Sequence, residues 1–212
     1  MKDIGIQDLQ RRSRSNEIAV QIANLLRTAI LVDYDNLKGR PSERFFSPSD
    51  IIEAIRIDLG AGSIVQFGNV YIAMGLPDDT SPVDRNKVYQ IYSHGTEPIA
   101  VPSFKGNGSE RIKNIADSTA MVDIVESIFT HPDVTAYCIA TGDKDYLPVV
   151  RKLRKYGKAV RIYYRGQCAS VLAAEIEWLR GDGFSSTMDL ESLCRFTENQ
   201  ASRGILQVGS TV

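Results

Sequence analysis

The apolar positions along the chain change period repeatedly, and the changes predict alternating strands and helices. Ala29–Val32 is a short apolar run ending in charged residues, the pattern of a buried strand. Ser47-Pro48-Ser49-Asp50 offers a hydroxyl cap ahead of Ile51, Ile52, Ile55 and Leu59, which predicts a helix ended by Gly60-Ala61-Gly62. Ile64–Met74 reads as a strand, Val83–Tyr92 as a helix stopped at Gly95, and Pro98–Val101 as a strand. Ile115–Phe129 is a strong helix pattern, with Met121, Ile124, Val125, Ile128 and Phe129 on one side. Thr135–Ala140 is a buried strand, Tyr146–Lys155 a helix closed by Gly157, Ala159–Tyr163 a fifth strand, and residues 169–179 a last helix.

Outside this alternation, residues 1–16 form a polar arm rich in Arg and Ser. Ile18, Ile22, Leu25 and Leu26 give residues 17–27 the apolar face of a helix, able to pack on its own domain or on a second copy in a homo-oligomer. The expected division is an arm and helix over 1–27, a domain over 28–185, and a partly flexible C-terminal extension over 186–212. Five strands interleaved with helices predict an α/β domain, a mainly parallel five-stranded sheet with helices on both faces. In such sheets ligands sit beyond the carboxyl ends of the strands, near the point where strand order reverses.

Composition narrows the function. The chain has 212 residues, 43% of them apolar, and its 25 basic and 26 acidic residues leave a net charge of −1. That excludes a globally basic nucleic-acid coat but not opposed local fields. Cys138, Cys168 and Cys194 form no CxxC pair, which argues against a disulfide framework or a cysteine zinc site. Only two histidines, His94 and His131, are present, both in predicted loops. No run is long enough to span a membrane and Met1–Gly5 has no signal-peptide character, so a soluble cytoplasmic protein is expected.

The strand ends carry carboxylates. Asp33-Tyr34-Asp35-Asn36 follows the first strand, Thr141-Gly142-Asp143-Lys144-Asp145 follows the fourth, and Asp117 opens the strong helix. Asp123 lies six residues beyond Asp117, about 120° around the helix, so the two cannot point the same way. Carboxylates gathered in one crevice repel each other, and a bound divalent cation resolves the conflict. Oxygen-only ligands suit Mg²⁺ or Mn²⁺. Such an ion activates water against a phosphodiester without a side-chain nucleophile. A plainer reading makes Asp33, Asp35 and Asn36 turn formers and Asp143 and Asp145 a turn and helix cap.

These segments resemble a known family. Ile30-Leu31-Val32-Asp33-Tyr34-Asp35-Asn36-Leu37 resembles the D-x-x-N opening of the NYN domain, a family of PIN-like nucleases. The run Ala140 to Val150 is similar to its S-G-D-x-D-F-x-P-L segment, with Thr141 in place of the commoner Ser. Lys158 matches its G-K-x-V strand lead-in, and Lys113-Asn114-Ile115-Ala116-Asp117 resembles its Lys-bearing loop before a helix-start Asp, one residue longer than usual. The subgroup is similar to bacterial LabA-like proteins. The resemblance implies a three-layer PIN-like fold and metal-dependent endoribonuclease chemistry. Asp33, Asp117 and Asp143 would hold Mg²⁺ or Mn²⁺, with Asp145 as a fourth acidic catalytic group. Asn36 would orient a ligand or bind RNA. Asp123 and Thr141 would support these ligands from behind.

Seven basic residues between Arg151 and Arg165, with no acid among them, form either a solvated face or a phosphate groove. Lys105, Arg111 and Lys113 flank the loop Gly106-Asn107-Gly108 and could grip the substrate, with Tyr34 and Phe104 as stacking platforms for unpaired bases. Two other readings stay open. One is a regulator that binds RNA or protein without turnover. The other is a haloacid-dehalogenase-type phosphatase using Asp33 and Asp35, against which the Asn36-Leu37 continuation argues.

Overall fold

A computed structural model describes residues 25–37, 46–74, 91–105, 112–178 and 180–195. Strand β1 (Leu26–Asp33) is followed by a one-turn helix α1 (Tyr34–Leu37), helix α2 (Pro48–Leu59) and strand β2 (Ser63–Met74). Strands β3 (Glu97–Lys105) and β4 (Ile112–Asn114) lead into helix α3 (Ala116–Thr130) and strand β5 (Ala136–Ala140). Helix α4 (Leu147–Lys155), strand β6 (Ala159–Tyr164), helix α5 (Ser170–Glu177) and strand β7 (Ser186–Asp189) complete the described order.

Six strands run parallel in the order β3-β2-β1-β5-β6-β7, and β4 adds antiparallel to the outer side of β3. The sheet therefore exceeds the expected five parallel strands by β7, which lies in the segment read as a C-terminal extension. Its four residues, Ser-Thr-Met-Asp, are all half-buried, so this edge strand shows no apolar run. At the other end, Leu26 and Arg27 belong to β1 rather than to a helix over 17–27, and residues 17–24 lie outside the described residues. The same holds for most of the helix expected over 83–92, of which residues 91 and 92 are helical, and for the tail beyond Gly204.

The expected helix boundaries follow from local chemistry. Ser47 and Asp50 close a reciprocal capping box at the start of α2. Gly157, at φ +69°, ends α4: its N–H donates to Arg154 O and that of Lys158 to Leu153 O, the left-handed terminus that favours glycine. In α3 the buried side is Ala116, Ala120, Ile124, Ser127 and Ile128, while Phe129 faces solvent.

Two cores follow from the pleat of β1. Ala29 and Leu31 pack with α3, α4 and α5, while Ile30 and Val32 pack with α2 and the helical residues from Leu190. Burial on both faces explains why β1 and β5 read as continuous apolar runs. From β1 the chain winds outward through β2 and β3, then returns to β5 and winds outward the other way. The order reverses between β1 and β5, which is where a doubly wound sheet opens a crevice.

Candidate active site

Asp33 is the last residue of β1, and the register Val32↔Ala140 sets Thr141-Gly142-Asp143 beside it. Its side chain is 5% exposed. Oδ1 accepts the Asn36 N–H at 3.4 Å, capping α1, and Oδ2 accepts the Tyr146 hydroxyl at 3.1 Å. Burial raises its pKa from 3.8 to about 6, against the downward pull of the Tyr146 and Asn36 hydrogen bonds, and Asp117 and Asp35 add repulsion. Among the described residues no cation pairs with it. Tyr146 is fully buried, and burial followed by the Asp33 charge pushes its hydroxyl pKa far up, so it stays a donor.

Asp117 lies in the first turn of α3, where the helix dipole favours negative charge. Farther along α3, Asp123 accepts the Tyr71 hydroxyl at 3.0 Å, and Asn69 Nδ2 donates to Tyr71 at 3.3 Å. Asp123 thus braces the helix against β2 through Tyr71, the residue beside Asp33 in the sheet register.

The loop after β5 is pinned from two sides. Asn36 Oδ1 accepts the Gly142 N–H at 3.0 Å, and Gly142 O accepts the Ala169 N–H at 3.1 Å. A Cβ at Gly142 would lie 2.8 Å from Gln167 O, so only glycine fits this approach. Asn36 therefore spends its oxygen on tying two loops together. Thr141, fully buried, accepts the Asp143 N–H at 3.3 Å through its hydroxyl. Asp143 Oδ1 accepts the Asp145 N–H at 3.0 Å and caps the turn Lys144–Tyr146. The cap is Asp143, while Asp145 is exposed beside Lys144.

No group of three His, Cys, Asp or Glu side chains among the described residues is arranged to hold a metal ion. Asp117 repels the Asp33 charge and Asp143 lies in the loop after β5, but among the described residues the three form no three-carboxylate cage. The donor chemistry still fits a hard cation. Mg²⁺ is commonly held by one or two carboxylates, with water and substrate phosphate filling the remaining positions. A buried Asp33 with no cationic partner among the described residues, repelled by Asp117, is the arrangement such a cation relieves.

Several expected substrate contacts resolve differently. Tyr34 is 4% exposed and donates to Phe46 O at 3.0 Å, so it is core and not a stacking platform. Lys105 ends β3 opposite Ile112, and Lys113 sits in β4 opposite Phe104, on the ribbon that leads into Asp117. Arg111 lies outside the described residues. The basic run is largely engaged. Arg151 and Arg154 each donate to Glu175 at 3.0 Å, which holds that carboxyl below its usual range. Lys158 donates to Pro132 O and Val134 O, and Arg161 pairs with Asp58 at 2.7 Å. Arg165 reaches Glu191 and Leu37 O. A phosphate groove through 151–165 is thus reduced to the outer surface of α4. Tyr146, missed in the sequence, had as its signal only a polar aromatic directly after an acidic turn.

The NYN domain matches residues 27–176. No curated protein matches the chain. A solved protein of unknown function from Vibrio parahaemolyticus RIMD 2210633 has the same fold, at 20% identity and a TM-score of 0.56, covering 78% of this chain and 93% of that one. A chain from Parabacteroides merdae ATCC 43184, at 10% identity and a TM-score of 0.36, covers 77% of this chain and 31% of its own, and has no bearing on the site. The α/β fold and the family match agree: the chain belongs to the NYN domain family.

Proposed function

We propose that this protein is a metal-dependent endoribonuclease of the LabA-like bacterial subgroup, hydrolysing RNA phosphodiester bonds at the crevice between β1 and β5. The observation that carries the reading is Asp33, a buried carboxylate at the strand-order switch, repelled by Asp117 and without a described cationic partner. Membership of a nuclease-like family supports the reaction class.

Asp33 and Asp117 would hold Mg²⁺ or Mn²⁺, with Asp143 facing the same crevice from the neighbouring loop. When bound, such an ion acidifies a coordinated water and offsets charge on the phosphate. Tyr146 fixes Asp33 Oδ2 through its hydroxyl, leaving the carboxylate one orientation. Asn36 holds the β5 loop at a set distance from β1, so Asp143 keeps its position when RNA enters. Lys105 and Lys113, on the ribbon before Asp117, supply positive charge for the phosphates flanking the cut.

A second reading, RNA binding without turnover, is favoured by one observation: Asp143 already spends an oxygen on its cap. Labelled single-stranded RNA with Mn²⁺ separates the two. Cleavage abolished by EDTA and by Asp33→Asn supports the nuclease. RNA retention without cleavage supports the binder. Hydrolysis of a phosphate monoester without RNA cleavage contradicts both.

A further inference from the structure

Four large aromatic side chains are strongly exposed among the described residues, and three share one edge of the domain. Phe129 (61% exposed) stands near the end of α3, Tyr156 (42%) directly after α4, and Trp178 (81%) directly after α5. These helices pack on the same face of the sheet. Each leads into a strand parallel to its predecessors, so each runs against the strand direction. Their C-terminal ends therefore lie at the edge opposite the carboxylates. Phe129 and Tyr156 meet edge to face at 5.4 Å, and the Lys152 ammonium lies 5.5 Å from the Tyr156 ring centre.

Positive charge in this layer is concentrated on α4, while α3 carries Asp117, Asp123 and Glu126 and α5 carries Glu175 and Glu177. Helix α4 carries Arg151, Lys152, Arg154 and Lys155 and no acid. Glu175 of α5, with its side chain 11% exposed, takes both guanidiniums at 3.0 Å and fixes them. Two arginines against one carboxylate leave an excess positive charge, to which Lys152 and Lys155 add. Arg151, Arg154, Lys155 and Glu175 line a shallow hollow of about 410 Å³. The touching Phe129 and Tyr156 rings, with Trp178 exposed on the same edge, lie beside the cations of α4, a combination suited to a polyanion. A polyanion with accessible π-faces is a single-stranded nucleic acid. A duplex hides the faces that would stack.

We propose that this edge is a docking platform for single-stranded RNA, with phosphates on the cations of α4 and unpaired bases on Phe129, Tyr156 and Trp178. The inference rests on the RNA reading above and assigns where the strand is held while the crevice acts. Helix α3 has 15 residues, about 22 Å at 1.5 Å per residue. A strand stacked as in a duplex, at about 3.4 Å per nucleotide, covers that distance in roughly six or seven nucleotides, and an extended strand covers it in fewer.

The test uses the full-length chain carrying Asp33→Asn, in EDTA, so that binding is read without cleavage. Fluorescence anisotropy follows a labelled 15-nucleotide single-stranded RNA. Replacing Phe129, Tyr156 and Trp178 together by Ala is expected to weaken binding about tenfold or more. Trp178→Ala alone gives a smaller loss in the same direction. Lys152→Gln with Lys155→Gln is expected to flatten the slope of log affinity against log salt by about 0.7 per lysine. Unchanged circular dichroism and melting show that the variants fold. Equal affinity of the triple variant and its parent overturns the platform, as does a parent that fails to bind the RNA. A dimer dissolved by the triple variant, with RNA affinity unchanged, also overturns it and makes the edge a self-association surface. Aromatic-dependent binding by a wild-type chain that never cleaves RNA sinks the nuclease reading and leaves the platform standing.

Discussion

The Tyr146 hydroxyl donates to Asp33 Oδ2 at 3.1 Å and joins the turn after β5 to the last residue of β1. This bond closes the crevice at its base. It is a neutral donor, so it orients the Asp33 carboxylate without cancelling its charge. The charge remains available to a cation, at a cost to the metal-free fold.

That cost is measurable through pH. The Asp33 pKa is raised from 3.8 in the unfolded chain to about 6 in the folded one, so the folded state binds a proton more readily. Stability from this group is therefore lowest above pH 6 and is regained as pH falls towards 4. The difference amounts to about 3 kcal/mol. Asp33→Asn removes the penalty: the metal-free variant should be more stable than wild type at pH 7.5 and similar at pH 4, measured by urea unfolding at both. A variant less stable at pH 7.5 contradicts this.

Tyr146→Phe preserves the ring and deletes the hydroxyl. It leaves a buried carboxylate oxygen without its donor, which costs about 1–3 kcal/mol. Chemical denaturation at pH 7.5 should show this loss, and Asp33→Asn in the same chain should recover part of it.

The ion pairs divide by burial. Arg161 and Asp58 have side chains 17% and 15% exposed, and the Tyr163 hydroxyl also donates to Asp58 at 2.7 Å. Asp58→Ala orphans both donors and should cost about 2–4 kcal/mol. Arg151→Ala breaks a pair whose arginine is 63% exposed and should cost less than about 1 kcal/mol. Comparable losses in thermal unfolding would contradict the assignment.

Gly142→Ala tests the pinned loop. The added methyl meets the Gln167 carbonyl at 2.8 Å, and backbone must shift. A loss of about 1–3 kcal/mol is expected, together with faster hydrogen exchange at the position-142 amide, which donates to Asn36 in the parent.

The sequence made the centre of the sheet legible because β1 and β5 are covered on both faces and carry unbroken apolar runs. It concealed β7, whose half-buried polar residues look like loop, and the three-residue β4. The crevice carboxylates were visible because chain order places them directly after strands. Their supporting bonds were not, because Tyr146 reaches Asp33 only through the β1–β5 pairing. The partners of the basic run were hidden for the same reason. No acid lies within 151–165, yet Asp58, Glu175 and Glu191 reach it from distant elements.

The most direct measurement is the single-turnover rate of RNA cleavage against Mn²⁺ concentration for wild type, Asp33→Asn and Asp117→Asn. The account predicts a saturable rise for wild type, reversed by EDTA, and loss of cleavage in both variants across the titration. Cleavage that is independent of Mn²⁺ and Mg²⁺, or equal in Asp33→Asn, would contradict it.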